Sequence, residues 1–451
     1  MNSTTKPGMT SPVAQGTMTS QSSQSHYRFK PLNLGRMLIW GLFALALIVA
    51  PLVFTSSLAL TMLSQIGYLI IICLSYNILL GQGGMLSFGH AVYTGLGSFI
   101  AIHAMNKAGA GDWNIPLVLI PIIGGLGGMF FAALLGYVTT KKSGTTFAMI
   151  TMGMGELVAA MALMFPEFFG GEGGITTDRV YGSKLLGMDF GSGLQVYYLI
   201  AVYCFVCTVA MFAFTATPLG RMLNAVRDNP ERVEFVGYNT QRVRYFAFII
   251  AGFFAGIGGG LAAINFEIIT AMDSVSMIRS GTYLLFTFLG GATFFFGPII
   301  GAVLMVLASV LLSELTKAWL LYLGLVFLLM VMYAPGGIAS LIMLNMRVVR
   351  FGKWRILLKP YLALLASGLL AIAGGAAVVE MVYHLQLNAA LGPVVPFMGT
   401  ELDTSAASTW TVAIVVFVVG LGLLEGARRW FSRRWERIQE DIEALIKRGE
   451  G

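Results

Sequence analysis

The sequence has little charge: Asp, Glu, Lys and Arg together make up 11% of its 451 residues, whereas soluble domains usually carry about 25%. Hydrophobic residues make up 57% of the chain, more than a water-soluble core could bury. Apolar runs recur from residue 37 to residue 426, and a helix that crosses a bilayer needs about 20 predominantly apolar residues. The scarcity of charge excludes a soluble globular domain and predicts an all-α polytopic membrane protein.

Residues that carry chemistry are also scarce. The three cysteines lie inside apolar runs, and we predict that they are free, small apolar side chains. The four histidines are scattered without the spacing of a metal site. The phosphate-binding pattern G-x-x-x-x-G-K-[ST] does not occur. The sequence therefore predicts no catalytic site, metal or cofactor, and any ATP hydrolysis would be performed by another polypeptide.

The apolar runs predict twelve membrane spans, with both termini on the same side. Of the 28 Lys and Arg residues, 23 then fall on the side of the termini and five on the other side. The positive-inside rule makes the side with the termini cytoplasmic, so the formal charge of +7 reflects topology and not a nucleic-acid partner. The predicted spans lie near 37–54, 57–80, 88–106, 115–138, 145–165, 196–215, 246–268, 281–296, 298–314, 319–335, 361–383 and 408–426.

Two glycine-rich breaks interrupt these runs: the first break, residues 79–90, and the second break, residues 289–298. Removing either one would move the later basic clusters to the opposite side, so both are predicted to be real, as full turns or as re-entrant dips. Irregular backbone at membrane depth is tolerated only where protein or a water-filled cavity satisfies it. In transporters such broken helices form the substrate path. A turn with close helix packing is the alternative, and His90 is expected to be hydrogen-bonded within a helix bundle.

The longest predicted external loop, 166–195, opens with Phe169-Gly-Gly-Glu-Gly-Gly-Ile-Thr-Thr177. It lacks the Lys and the strand-to-helix context of a phosphate-binding loop. Another glycine run, at 252–260, is expected to serve close helix packing. We assign a substrate pathway to the first break and to this loop, at Gly81, Gln82, Gly83, Gly84, Ser87, Gly89, His90, Glu172, Gly173 and Gly174.

The cytoplasmic segment 218–240, here called the coupling segment, predicts two short helices. Apolar residues at helical spacing make the first one amphipathic. Asp228-Asn-Pro230 then ends it and starts a second helix, with Asn229 as its cap and Gly237 as its stop. The two helices form a surface for a soluble partner, although an interfacial loop without a partner is the alternative. The predicted contact residues are Arg221, Arg227, Asp228, Asn229, Glu231 and Gly237.

Several blocks in order resemble the branched-chain amino acid permease family of ABC importers, specifically the LIV-type subunit. They cover roughly residues 57–343. Glu231 and Gly237 also stand six apart, as in the coupling-loop signature of ABC importers, with Arg232 and Val233 in place of its two alanines. The blocks are Leu80-Gly-Gln-Gly-Gly-Met-Leu-Ser-Phe-Gly-His90, the Thr151 span followed by Gly170-Gly-Glu-Gly-Gly-Ile175, Gly220-Arg-Met-Leu-Asn-Ala-Val-Arg-Asp-Asn229, Leu289-Gly-Gly with Phe296-Gly-Pro-Ile-Ile-Gly301, and Pro335-Gly-Gly-Ile338.

The resemblance implies a permease core of about ten helices at 37–343 in a bacterial inner membrane. It implies three kinds of partner: a sister permease that forms a heterodimer, two cytoplasmic ATP-binding subunits, and a periplasmic solute-binding protein. Residues 1–36 are predicted to be a disordered cytoplasmic terminus. Residues 344–427 add a basic linker and two further spans, and 428–451 an amphipathic cytoplasmic tail that lies on the membrane surface or stays solvated.

Two other functions remain as alternatives. An ion-coupled secondary transporter or channel would place ionisable groups in mid-span, and of the three carboxylates within the core spans, Glu267 and Glu314 sit at span ends and Glu156 does not. A membrane enzyme lacks support, because the histidines have no metal spacing. The solute is expected to be a branched-chain amino acid or a similar small polar compound.

Overall fold

The computed structural model describes residues 34–180, 189–316, 318–387, 392–397 and 400–447. The predicted disorder of residues 1–33 and the basic residues Lys184 and Lys317 lie outside the described residues. The helices are α1 (Leu34–Val53), α2 (Ser57–Asn77), α3 (His90–Gly109), α4 (Ile120–Thr139), α5 (Gly144–Met164), α6 (Pro166–Phe169), α7 (Gly193–Ala216), α8 (Pro218–Asp228), α9 (Pro230–Phe235), α10 (Thr240–Phe266), α11 (Ala271–Ser274), α12 (Met277–Gly290), α13 (Gly297–Leu307), α14 (Ser313–Leu315), α15 (Trp319–Tyr333), α16 (Gly337–Arg350), α17 (Trp354–Leu387) and α18 (Ala407–Lys447).

The described residues divide into two compact units, one that ends at Ala46 and one that begins at Leu47. In the first unit α1 begins at Leu34, and the ring of Trp40 meets that of Phe43 edge-on, with ring centroids 6.4 Å apart. All the elements described below belong to the second unit.

The fold confirms an all-α polytopic membrane protein, with a helix at each of the twelve predicted spans. Within the described residues, seven helices are long and apolar enough to cross a membrane, or eight if the bent pair α15–α16 is one span. The remaining predicted spans are shorter or less apolar. The 20 residues of α3, for example, include the polar side chains of Thr94 and Ser98, which are buried inside the bundle.

Helix α10 lies at the centre of the second unit, where α2, α3 and α4 pack around it. Its glycines allow these close approaches. A Cβ added to Gly256 would overlap the carbonyl oxygen of Gly124 on α4, and one added to Gly259 would overlap that of Thr94 on α3. Small residues let membrane helices approach backbone to backbone, so the predicted packing role of this glycine run is confirmed.

Both predicted breaks occur. A π-helical turn, Ile78–Gln82, extends α2, and the backbone is then irregular until α3 begins at His90. At the second break, α12 ends at Gly290 and α13 begins at Gly297. The gap therefore lies within the predicted second break, just before Gly297-Pro298, because proline suits the first turn of a helix, where an N–H is not needed.

The second break turns the chain back on itself. A Cβ on Gly290 would overlap the backbone of Gly297, and one on Gly301 would overlap that of Phe286, so α12 and α13 pack as a hairpin. The 14 residues of α12 give a length of about 21 Å. That is less than the ~30 Å of hydrocarbon in a bilayer.

Two short sheets were not predicted, because strands this brief leave no alternating pattern in the sequence. In the first, β1 (Ile175–Thr176) pairs antiparallel with β2 (Ile268–Ile269). In the second, β3 (Val394–Phe397) pairs antiparallel with β4 (Thr400–Asp403) between the last two long helices.

The C-terminal tail continues the last predicted span as one helix, α18. Its apolar stripe packs on the chain itself: Ile438 and Ile442 are buried against Val348 and Leu357, with Trp435 beside them. These residues are therefore covered by the turn between α16 and α17. Leu445 continues this apolar stripe in the sequence, and its side chain lies outside the described residues.

Candidate functional site

The first break is held by hydrogen bonds from helices on several sides. Tyr76 of α2 donates its hydroxyl to the carbonyl of Ser87 at 2.7 Å. The backbone N–H of Phe88 donates to Thr151 Oγ1 of α5 at 3.1 Å, and the N–H of Ala91 donates to Ser280 Oγ of α12 at 3.0 Å. Protein therefore satisfies much of this irregular backbone, one of the two conditions under which it is tolerated at membrane depth.

His90, at the start of α3, is fully buried. Its Nε2 lies 2.9 Å from Ser75 Oγ, and its ring meets that of Tyr76 edge-on with centroids 4.9 Å apart. The prediction of a histidine hydrogen-bonded within a helix bundle is confirmed. Ser87 is also fully buried, and Gly89 is buried against Thr151, whose carbonyl oxygen would lie 2.5 Å from an added Cβ.

The other end of the first break contacts α8 of the coupling segment. Arg227 donates a hydrogen bond to the carbonyl of Gly81, and Asn224 Nδ2 donates to Gln82 Oε1 at 2.9 Å. Gly84 has φ +62°, and a Cβ there would lie 2.7 Å from Arg227 Cγ. The residues Gly81, Gln82, Gly83 and Gly84, assigned to the substrate pathway, thus lie against the residues assigned to coupling.

The coupling segment has the predicted local structure. Asn229 caps α9, where its side chain accepts from the N–H of Arg232 at 3.0 Å, with Pro230 and Glu231 in the first turn. Gly237 has φ +93°, its N–H donates to Glu234 O, and the N–H of Tyr238 donates to Val233 O. This is the hydrogen-bond pattern of a Schellman motif, in which glycine avoids the cost of a left-handed conformation.

The coupling segment also exposes a surface that the sequence prediction missed. Phe235 is 89% exposed, Val236 74% and Tyr238 51%. Arg221, Asp228 and Glu231 are exposed nearby in sequence. The sequence did contain a signal for this exposed surface. Phe235 and Val236 lie at the end of a six-residue helix, which buries one residue, Val233.

The rest of the predicted substrate pathway lies at the opposite end of α3. Glu172 and Gly173 are exposed, and Gly174, with φ +71°, leads into the β1–β2 pairing. This end is tied to α3 by His103 Nε2, 2.8 Å from the carbonyl of Phe168. Because the 20 residues of α3 give a helix of about 30 Å, the structure does not bring the two predicted groups together.

One ion pair joins the 166–195 loop to the end of α10. Arg179 Nη1 lies 3.7 Å from Glu267 Oε2, and the backbone N–H of Arg179 donates to Glu267 Oε1 at 3.0 Å. Glu267 takes a left-handed conformation, with φ +56°, directly after α10. This carboxylate therefore has a structural partner.

Glu156 differs from the other core carboxylates because it lies near the middle of its helix, α5. Its side chain is exposed. Its neighbour Gly155 packs against the first break, where an added Cβ would lie 3.7 Å from the Cα of Gly89. The sequence shows a carboxylate in mid-span, but only the structure shows that it lies on the exposed face of α5, opposite the face that packs on the break.

Broken helices with polar backbone inside an apolar bundle, together with a capped loop docked on one break, define a membrane transport protein. The family described as branched-chain amino acid transport system, permease component, matches residues 58–335. The chain belongs to this family.

The chain is 27% identical over 290 residues to the high-affinity branched-chain amino acid transport system permease protein LivM of Escherichia coli, covering 60% of this chain and 67% of that protein. The LivM protein of Salmonella typhimurium is 26% identical over the same shares. The guanosine ABC transporter permease protein NupQ of Bacillus subtilis is 32% identical over 79 residues, 18% of this chain and 24% of that protein. No solved structure matches the chain.

Proposed function

We propose that the chain is the membrane-spanning subunit of an ABC importer for a branched-chain amino acid or a similar small polar solute. It moves the solute by alternating access and has no catalytic role of its own. Two cytoplasmic ATPase subunits supply the energy, a sister permease completes the path, and a periplasmic binding protein delivers the solute.

The contact between α8 and the first break carries this proposal. A rigid cytoplasmic element is needed if hydrolysis in a separate subunit is to move the membrane helices. Helix α8 supplies one, since Arg227 and Asn224 join it directly to Gly81 and Gln82 in the first break. The exposed apolar residues at the end of α9 give a soluble ATPase a surface to grip, because contiguous exposed apolar patches mark interaction sites.

The same proposal places both termini and the coupling segment in the cytoplasm of a bacterium, and the 166–195 loop outside. The distribution of basic residues supports this orientation. Single cysteines at Asp178 and at Arg232, both exposed, should react with an impermeant thiol reagent from opposite sides. Reaction of both from one side would overturn the orientation.

The main experiment replaces Gly237 with Trp in vesicles that contain the full assembly, and it measures uptake and solute-stimulated ATP hydrolysis. At φ +93° a side chain is strained, at a cost of roughly 1–2 kcal/mol, and the end of α9 should shift. We expect both activities to fall while the chain still inserts. Glu231→Gln should have a smaller effect, because it removes only a first-turn charge worth about 0.3–1 kcal/mol.

The matched control is Gly352→Trp. Gly352 has φ +68° and, like Gly237, nothing within 4 Å of an added Cβ, but it lies at the turn between α16 and α17. The control should keep uptake close to wild type. Wild-type uptake and stimulation in the Gly237→Trp assembly would refute the coupling role.

A further inference from the structure

The middle of α5 carries a carboxylate without a partner in the part of the chain that the structure describes. Glu156 is exposed, and its side chain makes no hydrogen bond or ion pair with the described residues. Glu267 is different, because Arg179 neutralises it at the end of α10. Glu156 therefore needs a source of solvation or charge from outside its own chain.

The two faces of α5 show where that source lies. One face is buried against the rest of the chain through Phe147, Thr151, Gly155, Val158 and Ala162, which recur at helical spacing. The opposite face is exposed, and Glu156 lies on it at helical spacing from residues 149, 152 and 160. Gly155 packs on Gly89, so the buried face of α5 lies against the first break and the face with Glu156 points away from it.

A face that carries Glu156 at this depth is unsuited to lipid. Ionisable residues within membrane segments face water-filled cavities or charged partners, because acyl chains offer neither hydrogen bonds nor counter-charge. In broken-helix transporters the water-filled cavity at mid-depth is the solute path. Glu156 lies near the centre of its span, on the exposed face of a helix whose buried face packs on the first break. This is a position from which a residue can line such a path.

We propose that Glu156 lines the water-filled solute path and that its carboxylate receives the cationic amino group of an amino-acid solute. This inference rests on the proposed function and adds a recognition residue and a solute class to it. A carboxylate and an ammonium group form a charge-assisted hydrogen bond. Of the solutes in the names of the relatives, a branched-chain amino acid has an ammonium group and guanosine has none, so Glu156 favours the amino acid.

The first test measures whether water reaches this position. A Glu156→Cys chain in membranes is treated with an impermeant, cationic methanethiosulfonate reagent, which needs a thiolate in water. The native Cys73, Cys204 and Cys207 are buried, so the background is low. The control is Val202→Cys, which is 61% exposed near the middle of α7 and is expected to face lipid.

We expect the cysteine at 156 to react at least about tenfold faster than the one at 202, because a thiol in apolar surroundings forms little thiolate. Leucine, added with the complete assembly and ATP, should slow the reaction. Equal rates at the two positions would overturn the proposal. So would a fast reaction that leucine leaves unchanged, since water alone would then occupy the face.

The second test compares Glu156→Gln with Glu156→Asp in leucine uptake by the complete assembly. Losing the charge should raise the half-saturating leucine concentration by about tenfold or more, and the aspartate should lie between the glutamine and the wild type. Wild-type saturation with Glu156→Gln would refute the role of Glu156 and leave the proposed function intact. If the wild-type assembly takes up no leucine, the branched-chain amino acid named in the proposed function is the wrong solute, and this inference, which rests on it, falls with it. Loss of the co-purifying sister permease in Glu156→Gln would also overturn the proposal, because the carboxylate would then pair with that subunit.

Discussion

Helix α10 and the pair α17–α18 are all strongly apolar, yet the structure surrounds them to very different degrees. In an apolar 18-residue stretch of α10, 78% of the residues are buried within the chain, whereas the corresponding stretches of α17 and α18 are 22% and 11% buried. Both regions use glycine for close contact, but α10 meets three long helices, whereas α17 and α18 pack mainly on each other. An apolar sequence is therefore enough to predict that a helix lies in the membrane. The positions of the glycines distinguish α10, which packs on α2, α3 and α4, from α17 and α18, which pack on each other.

The largest expected effect is at the centre of this comparison. Gly256→Ala would push a methyl group into the carbonyl oxygen of Gly124, and overpacking of this kind costs about 1 to 3 kcal/mol. We expect a clear fall in the thermal unfolding midpoint of the purified chain in detergent.

The matched control is Gly324→Ala in α15, where an added Cβ meets nothing within 4 Å. It should be neutral or slightly stabilising, since alanine favours a helix over glycine by about 0.8–1.0 kcal/mol. An equal loss of stability in the two variants would break the comparison, because glycine packing would then not distinguish α10.

Truncation after Lys359 should have an intermediate effect, because the residues that it removes, the extension 360–451, make few contacts with the core. Tyr322 would lose its hydrogen bond to Glu380, 3.3 Å away, and Val348 would lose its contacts with α18. We expect a chain that inserts and still supports measurable uptake at a reduced rate, together with a lower unfolding midpoint. Complete loss of uptake in a normally inserted truncation would show that the extension belongs to the transport machinery.

The smallest expected effect is at the tail. Lys353 Nζ lies 2.6 Å from Asp441 Oδ2, but the side chain of Asp441 is 60% exposed. Exposed ion pairs contribute about 0.2–1 kcal/mol and are weakened by salt. Asp441→Asn should therefore lower stability slightly at low salt and less at high salt. The control, Glu443→Gln on the same helix, should not change stability measurably. A loss of stability in Asp441→Asn as large as that in Gly256→Ala would contradict this ranking.

Local signals predicted much of the fold. Apolar runs located the helices, and the cap at Asn229 and the stop at Gly237 were correct because each depends only on adjacent residues. Long-range contacts were beyond the same reasoning. Nothing in the sequence pattern indicates that Arg227 reaches Gly81, or that Ile438 and Ile442 are covered by the turn between α16 and α17. The two groups of the predicted substrate pathway were assigned together although α3 separates them. Both are glycine-rich, and a glycine-rich pattern does not indicate how deep in the membrane a segment lies.

The most direct test of the account measures how much solute is moved for each ATP hydrolysed by the complete assembly in vesicles, with wild-type chain and with Arg227→Ala. Arg227 joins the coupling segment to the first break, so its loss should lower this ratio severalfold while basal hydrolysis and membrane insertion persist. Arg433→Ala, which removes an exposed cation from the tail, should leave the ratio at the wild-type value. An unchanged ratio in Arg227→Ala would contradict the claim that motion passes from the ATPase to the membrane helices through this contact.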